Sequence, residues 1–124
     1  MSNKEIVMEF VKVVFNGKDL SVVDKYMKDD YKQHNPTVAQ GKAGFIDFAQ
    51  NRFFKMFPDL ELRIKHVYED GDIVVCHHHA VLKKGEVENI VFDVFRLEDG
   101  KLAEHWDCIQ HLTPEQIPDA DRFF

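Results

Sequence analysis

The hydrophobic period of this sequence changes at Pro58-Asp59. Before that point apolar residues recur at helical spacing, and after it they alternate. Side chains repeat every 3.6 residues on a helix and every two on a strand, so neither pattern can present one apolar face in the other conformation. The chain therefore reads as helices first and a sheet afterwards.

Ser2 and Glu5 have the spacing of a capping box, and Val7, Phe10, Val11, Val14 and Phe15 follow as one helical stripe that stops at Asn16-Gly17. A short second helix is expected over residues 19 to 27, with Leu20, Val23 and Met27 on one side. YKQHNP then reads as a brief extended segment closed by Pro36. A third helix over 42 to 57 carries Phe45, Phe48, Ala49, Arg52, Phe53 and Met56 along one stripe, with Gly41 and Gly44 at its start. Four strand candidates follow, 60 to 68, 72 to 82, 87 to 97 and 101 to 110, separated by Asp70-Gly71, Lys84-Gly85 and Asp99-Gly100. Turns this short join antiparallel neighbours. The expected class is α+β, with three helices covering one face of a curved sheet in a single domain over 1–124. The tail, TPEQIPDADRFF, has two prolines and should run irregularly over the surface, with Phe123 and Phe124 available to dock.

Eleven phenylalanines in 124 residues must fill or wall one small interior, either as solid core or around something apolar. The net charge of −6 and the lack of a Lys/Arg cluster exclude a phosphate-backbone partner, because that affinity comes from cations. No apolar run approaches membrane-spanning length, and MSNKEIVMEFVKVV lacks the parts of a signal peptide, so no membrane partner and a cytoplasmic location are expected. Cys76 and Cys108 sit in apolar strand-like runs, as reduced, buried thiols would.

The chemistry-bearing segment is DVFRLEDGKLAEHWDCIQH, residues 93 to 111. With a two-residue turn at Asp99-Gly100, Glu98 faces Lys101, Asp93 faces Trp106, and the acidic and imidazole groups are split between the faces. With a three-residue loop, Glu98-Asp99-Gly100, closed by a glycine bulge, Leu97 faces Lys101 and Asp93 lies opposite His105. Asp93, His105 and Asp107 then share a face with Val91, Phe95, Ala103 and Ile109, while Arg96 lies diagonally near Glu104 and Phe92 pairs with Trp106 across the strands. The second register is preferred as the more coherent. Spacing alone leaves open whether the acidic face meets water or a lined cavity, since burying unpaired charge is costly.

In the run His77-His78-His79, alternation puts His77 and His79 on one face and His78 on the other. Two histidines are too few for a zinc site, and the helical H-E-x-x-H and paired-Cys spacings are absent, so no metal is expected. His77 and His79 are cavity lining or outer-face residues; His66 and His111 give no signal above surface histidine. Nor does any phosphate-loop pattern accompany the glycines, and no cofactor is expected.

YKQHNPTVAQGKAGF, the H-x-H from His77 to His79, and above all the D-x-F-R-x-x-D-G-K-x-x-E-H-W-D pattern from Asp93 to Asp107 resemble the SnoaL-like polyketide cyclases of the NTF2-like superfamily, in particular the branch described as predicted aldol-condensation enzymes. The resemblance covers nearly the whole chain. It implies a cone, a curved and mostly antiparallel sheet wrapped against three helices around an apolar pocket, with the Asp107 face looking inward. It implies that Asp107 is the acid/base residue of an aldol-type closure, isomerisation or lyase reaction on a small hydrophobic carbonyl compound. Asp93 and His105 would assist, and burial among phenylalanines would raise one of the two carboxyl pKa values. Tyr31, His34, Asn35, Val91 and Phe95 are the expected pocket residues. The outer sheet face, with Phe92 and Trp106, is the expected homodimer interface. The position of Asp93 can be histidine in the family's true cyclases, a departure that bears on a polyketide as substrate. The competing readings are a non-catalytic binder using the same cavity and a dimerisation module.

Overall fold

The computed structural model describes all 124 residues. Helix α1 (Asn3–Phe10) starts as the capping box requires: Ser2 Oγ accepts the Glu5 backbone N–H at 3.1 Å, and the Glu5 carboxylate accepts the Ser2 N–H. It runs on as a π-helical stretch (Val11–Asn16), whose end is tied to the sheet by Asn16, donating to Leu62 O at 3.0 Å and accepting from Leu62 N at 2.7 Å. The second helix is shorter than expected: a 3-10 turn (Leu20–Val22) leads into one turn of α2 (Val23–Tyr26). The third begins as α3 (Gly41–Phe48), passes through a π-helical stretch (Ala49–Phe53) and ends in a last turn, α4 (Phe54–Met56). Gly44 is required where α3 crosses its own entry loop, since a Cβ there would lie 2.3 Å from the Ala39 carbonyl oxygen.

Five strands form one sheet in the order β1-β5-β4-β3-β2: β1 (Met27–Gln33), β2 (Glu61–Asp70), β3 (Ile73–Lys83), β4 (Val87–Glu98) and β5 (Lys101–His111). The last four are the expected antiparallel meander. The brief extended segment is instead a seven-residue edge strand parallel to β5, starting at Met27, which the sequence had placed in the second helix. Only Met27, Tyr31 and Gln33 of β1 are buried, and the Met27-to-Lys32 register is irregular, so the alternation that marks a strand is interrupted at Asp29 and Asp30.

The helices lay Val7, Phe10, Val11, Val14 and Phe45 on the concave face, where Val74, Cys76, Phe95, Leu97 and Leu102 meet them. Phe10 sits at the centre, its ring within 6.2 Å of those of Phe15, Tyr26, Phe45 and Phe95. This is the α+β NTF2-like cone. No helix is long and apolar enough to cross a membrane.

The β4–β5 hairpin differs from both expected registers. Asp99 and Gly100 have φ of +49° and +76°, a two-residue type I′ turn with Glu98 opposite Lys101. One pair later a bulge inserts Ala103 into β5, because Leu97 faces Leu102 whereas Arg96 faces Glu104. Turn and bulge together shift the ladder by two residues from the preferred register. Asp93 therefore lies opposite Asp107, and Phe95 opposite His105. A shift of two preserves which side chains share a face. Phe92 pairs with Cys108, Val94 with Trp106, and Arg96 pairs with Glu104 directly rather than diagonally. Cys76 is buried as expected, but Cys108 is exposed on the convex face.

The tail is more regular than expected. A 3-10 segment (Ile117–Phe123), kinked at Asp119, packs Ile117 and Ala120 with Leu112 and Ile90. Phe124 stacks on His79 with ring centroids 4.6 Å apart and lies tilted against His77 at 5.3 Å, which places both histidines on the convex face.

Candidate functional site

Between helices and sheet lies a cavity of about 180 Å³. Its walls are mostly apolar, including Phe15, Phe45, Phe48, Phe53 and Leu82, and its polar groups come from β1, the loop after it, β4 and β5. Tyr31, Asn35, Val91, Asp93, Phe95, His105 and Asp107, all expected in the pocket, line it. His34 does not. Alternation along β1 turns Tyr31 and Gln33 inward and His34 outward, where its Nε2 lies 2.7 Å from Glu104 and its ring stacks on Trp106 at 4.8 Å.

Three acidic or basic groups converge. His105 Nε2 is 2.7 Å from Asp93 Oδ1 and 3.9 Å from Asp107 Oδ2. Asn35 Nδ2 donates to both oxygens of Asp107, at 3.1 and 2.9 Å. Gln33, which the sequence reading passed over, fixes the protonation of the imidazole. Its Oε1 accepts the Asn35 backbone N–H at 2.9 Å, so the same oxygen must also accept from His105 Nδ1 at 2.8 Å. Gln40 clamps the Gln33 backbone, accepting from its N–H and donating to its carbonyl. With Nδ1 donating to Gln33, the 2.7 Å contact to Asp93 requires a proton shared between His105 and Asp93.

A second missed residue is His78, fully buried on β3. Its Nε2 lies 2.9 Å from Asp93 Oδ2, turned off the line of a well-formed hydrogen bond, and its Nδ1 has no partner. Asp93 is thus flanked by two histidines, one at each oxygen. Burial by itself raises its carboxyl, but hydrogen bonding and charge from His105 and His78 overcome this and hold it well below the usual carboxylate range. The upward shift expected of one of the two carboxyls does not fall on Asp93, whose shift is downward. Tyr31, whose ring lies over His105, goes the other way: burial and then the Asp93 charge push its hydroxyl well up, so it stays protonated and can only donate or accept as a phenol. Burial likewise pushes the Cys76 thiol up to about 12, which keeps it an inert core group.

Asn89 is the third omission. It lines the cavity, and His111 Nδ1 meets its Oδ1 at 2.7 Å. The alternation that put Val91 and Asp93 inward also puts Asn89 inward, so the pattern contained this residue. Asp93, His105 and Asp107 offer atoms within 4.8 Å of one another, a spacing a divalent cation could bridge. A cation there would have to displace the Gln33–His105–Asp93 and Asn35–Asp107 hydrogen bonds.

The profile of the SnoaL-like polyketide cyclase family matches residues 5–116. Among solved structures, a proposed polyketide cyclase from Acidithiobacillus ferrooxidans is similar with a TM-score of 0.77 at 22% identity, over 97% of this chain and 99% of that one. IdmH from Streptomyces antibioticus, also a proposed polyketide cyclase, gives 0.77 at 17% identity over the whole of both chains. AclR from Streptomyces galilaeus, a proposed hydroxylase, gives 0.71 at 24% identity over 94% of this chain and 83% of that one. No curated protein matches the chain. At these identities the solved structures speak for the fold, and the profile, matched over most of the sequence, speaks for descent: the chain belongs to the SnoaL-like polyketide cyclase family.

Proposed function

We propose that the cavity is the active site of an acid/base enzyme that works on a small apolar carbonyl compound by aldol-type cyclisation, isomerisation or lyase chemistry, with no organic cofactor. The observation that carries this reading is a carboxylate, Asp107, and a proton-holding pair, His105–Asp93, 3.9 Å apart in a phenylalanine-walled cavity. Aldol closure needs a base for the proton alpha to a carbonyl and an acid for the carbonyl oxygen being attacked. Asp107, held by Asn35, takes the α-proton as the new C–C bond forms. His105 gives its Nε2 proton to the nascent alkoxide. The proton now on Asp107 returns to His105, and both groups are restored. Asp93 and Gln33 hold the imidazole in place and aimed. A binder of apolar ligands gains nothing from three ionisable groups in its wall, which favours catalysis over the carrier reading.

The test is exchange of α-protons for deuterium in a panel of apolar ketones, followed by NMR. Asp107→Asn should slow the exchange by about 10²–10⁴-fold. Exchange retained in a folded Asp107→Asn protein sinks the assignment and leaves the carrier reading.

For the convex face we propose pairing with a second copy. Phe92 is 43% exposed there and Trp106 lies beside it on the same face, covered by His34.

A further inference from the structure

The size and charge of the cavity narrow the ligand further than acid/base chemistry does. An apolar cavity of about 150 Å³ holds one benzene ring, whereas pockets for drug-sized molecules span about 300–1,000 Å³. The 180 Å³ here corresponds to a single ring with a small substituent. Phe15, Phe45, Phe48 and Phe53 set this limit, because their rings pack edge-on or stacked at 5.2 to 6.4 Å and leave only a narrow space against β4.

Charge narrows the class again. The lining includes two aspartates and no lysine or arginine. His105 Nδ1 is held by Gln33, and its Nε2 proton is shared with Asp93 at 2.7 Å, so a ligand oxygen reaches that proton only in competition with a carboxylate. The Asn35 amide is taken by Asp107. Arg52, near the rim, is turned to the Thr37 carbonyl at 3.3 Å and to the Phe48 ring. An anionic ligand would meet a net negative wall without a free cation to pair with.

We propose that this site selects a neutral, single-ring carbonyl compound and rejects both anions of the same size and polycyclic ketones. The placement of the α-carbon at Asp107 and of the carbonyl oxygen at His105 rests on the acid/base reading; the limits on size and charge do not.

Binding, rather than turnover, separates the two. Backbone amide shifts of Val91, Asp93 and Asp107 are followed by NMR at pH 7 with three probes: acetophenone, benzoate and 2-acetylphenanthrene. Acetophenone should move all three amides with a Kd on the order of 1 mM, as befits so few atoms. Benzoate should bind at least about tenfold more weakly, and Asp107→Asn should narrow that gap. The tricyclic ketone should leave the amides unmoved up to its solubility limit in the wild type and shift them in Phe53→Ala, where the wall is opened. Benzoate binding as tightly as acetophenone, the tricyclic ketone moving the same amides in the wild type, or acetophenone moving none would each overturn the proposal. Absence of α-proton exchange in the wild type, with this binding pattern intact, would instead count against the acid/base reading alone.

Discussion

Replacing Asp93 by asparagine probes the centre of the polar cluster. The carboxylate accepts from His105 at 2.7 Å and faces His78 at 2.9 Å, and its side chain is only 13% exposed. An asparagine of the same shape has one acceptor oxygen and one donor nitrogen, so one of the two histidine N–H groups would meet another N–H in a buried place. Losing a hydrogen bond to a charged acceptor and stranding a donor costs about 2–3 kcal/mol. For a domain of this length that corresponds to a fall in Tm of roughly 8–12 °C. Guanidinium denaturation followed by circular dichroism at pH 7 measures it directly.

The pH dependence gives a second handle on the same variant. The folded-state pKa of Asp93 is depressed, so the unfolded chain binds its proton first as pH falls. The stabilisation is present above the unfolded value of about 3.9 and is lost as pH falls towards the folded value. Wild type and Asp93→Asn should therefore converge in stability below about pH 4. A difference under about 0.5 kcal/mol at pH 7 would refute the two-histidine account, because neutral surface-like substitutions fall in that range. So would a gap that stays constant into acid.

Gln33→Leu removes the acceptor that holds His105 Nδ1 and should cost about 1–2 kcal/mol in denaturant melts. Phe45→Ala, at the junction of core and cavity wall, should cost about 3–5 kcal/mol in denaturant melts. Gly100→Ala forces a side chain into φ of +76° at the hairpin turn and should cost about 1–2 kcal/mol without altering ligand binding. Phe92→Lys, on the convex face, should reduce the mass seen by light scattering from that of two chains to that of one if this face pairs copies; an unchanged mass removes the proposed interface.

The helix stripes and the four-strand meander were legible because each presents a single periodicity long enough to be unambiguous. Which side chains of the hairpin share a face was also legible, since parity along a strand survives any even slip. The register itself was not. An Asp-Gly pair fits a two-residue turn or a bulged three-residue loop, and the Ala103 bulge that resets the ladder leaves no mark in composition. His78 and Gln33 escaped notice for related reasons. Alternation correctly put His78 on the face opposite His77 and His79, yet a lone inward histidine gains meaning only beside Asp93, fifteen residues away in the sequence. Gln33 lies on an edge strand whose polar Asp29-Asp30 step hid the strand altogether.

The order of helices and sheet, the residues able to face inward, and membership in a family were all present in the amino-acid sequence. Local sterics and the repeat of side chains along a backbone act over a few residues, so they are written in consecutive letters. Folding across the sheet sets Asp93 opposite Asp107, brings two histidines to its oxygens and a glutamine to one of those histidines, turns His34 out of the pocket to Glu104 and Trp106, and makes the cavity small. Those properties are sums over side chains brought together from β1, β3, β4 and β5, and neither a protonation state nor a volume exists before the strands meet.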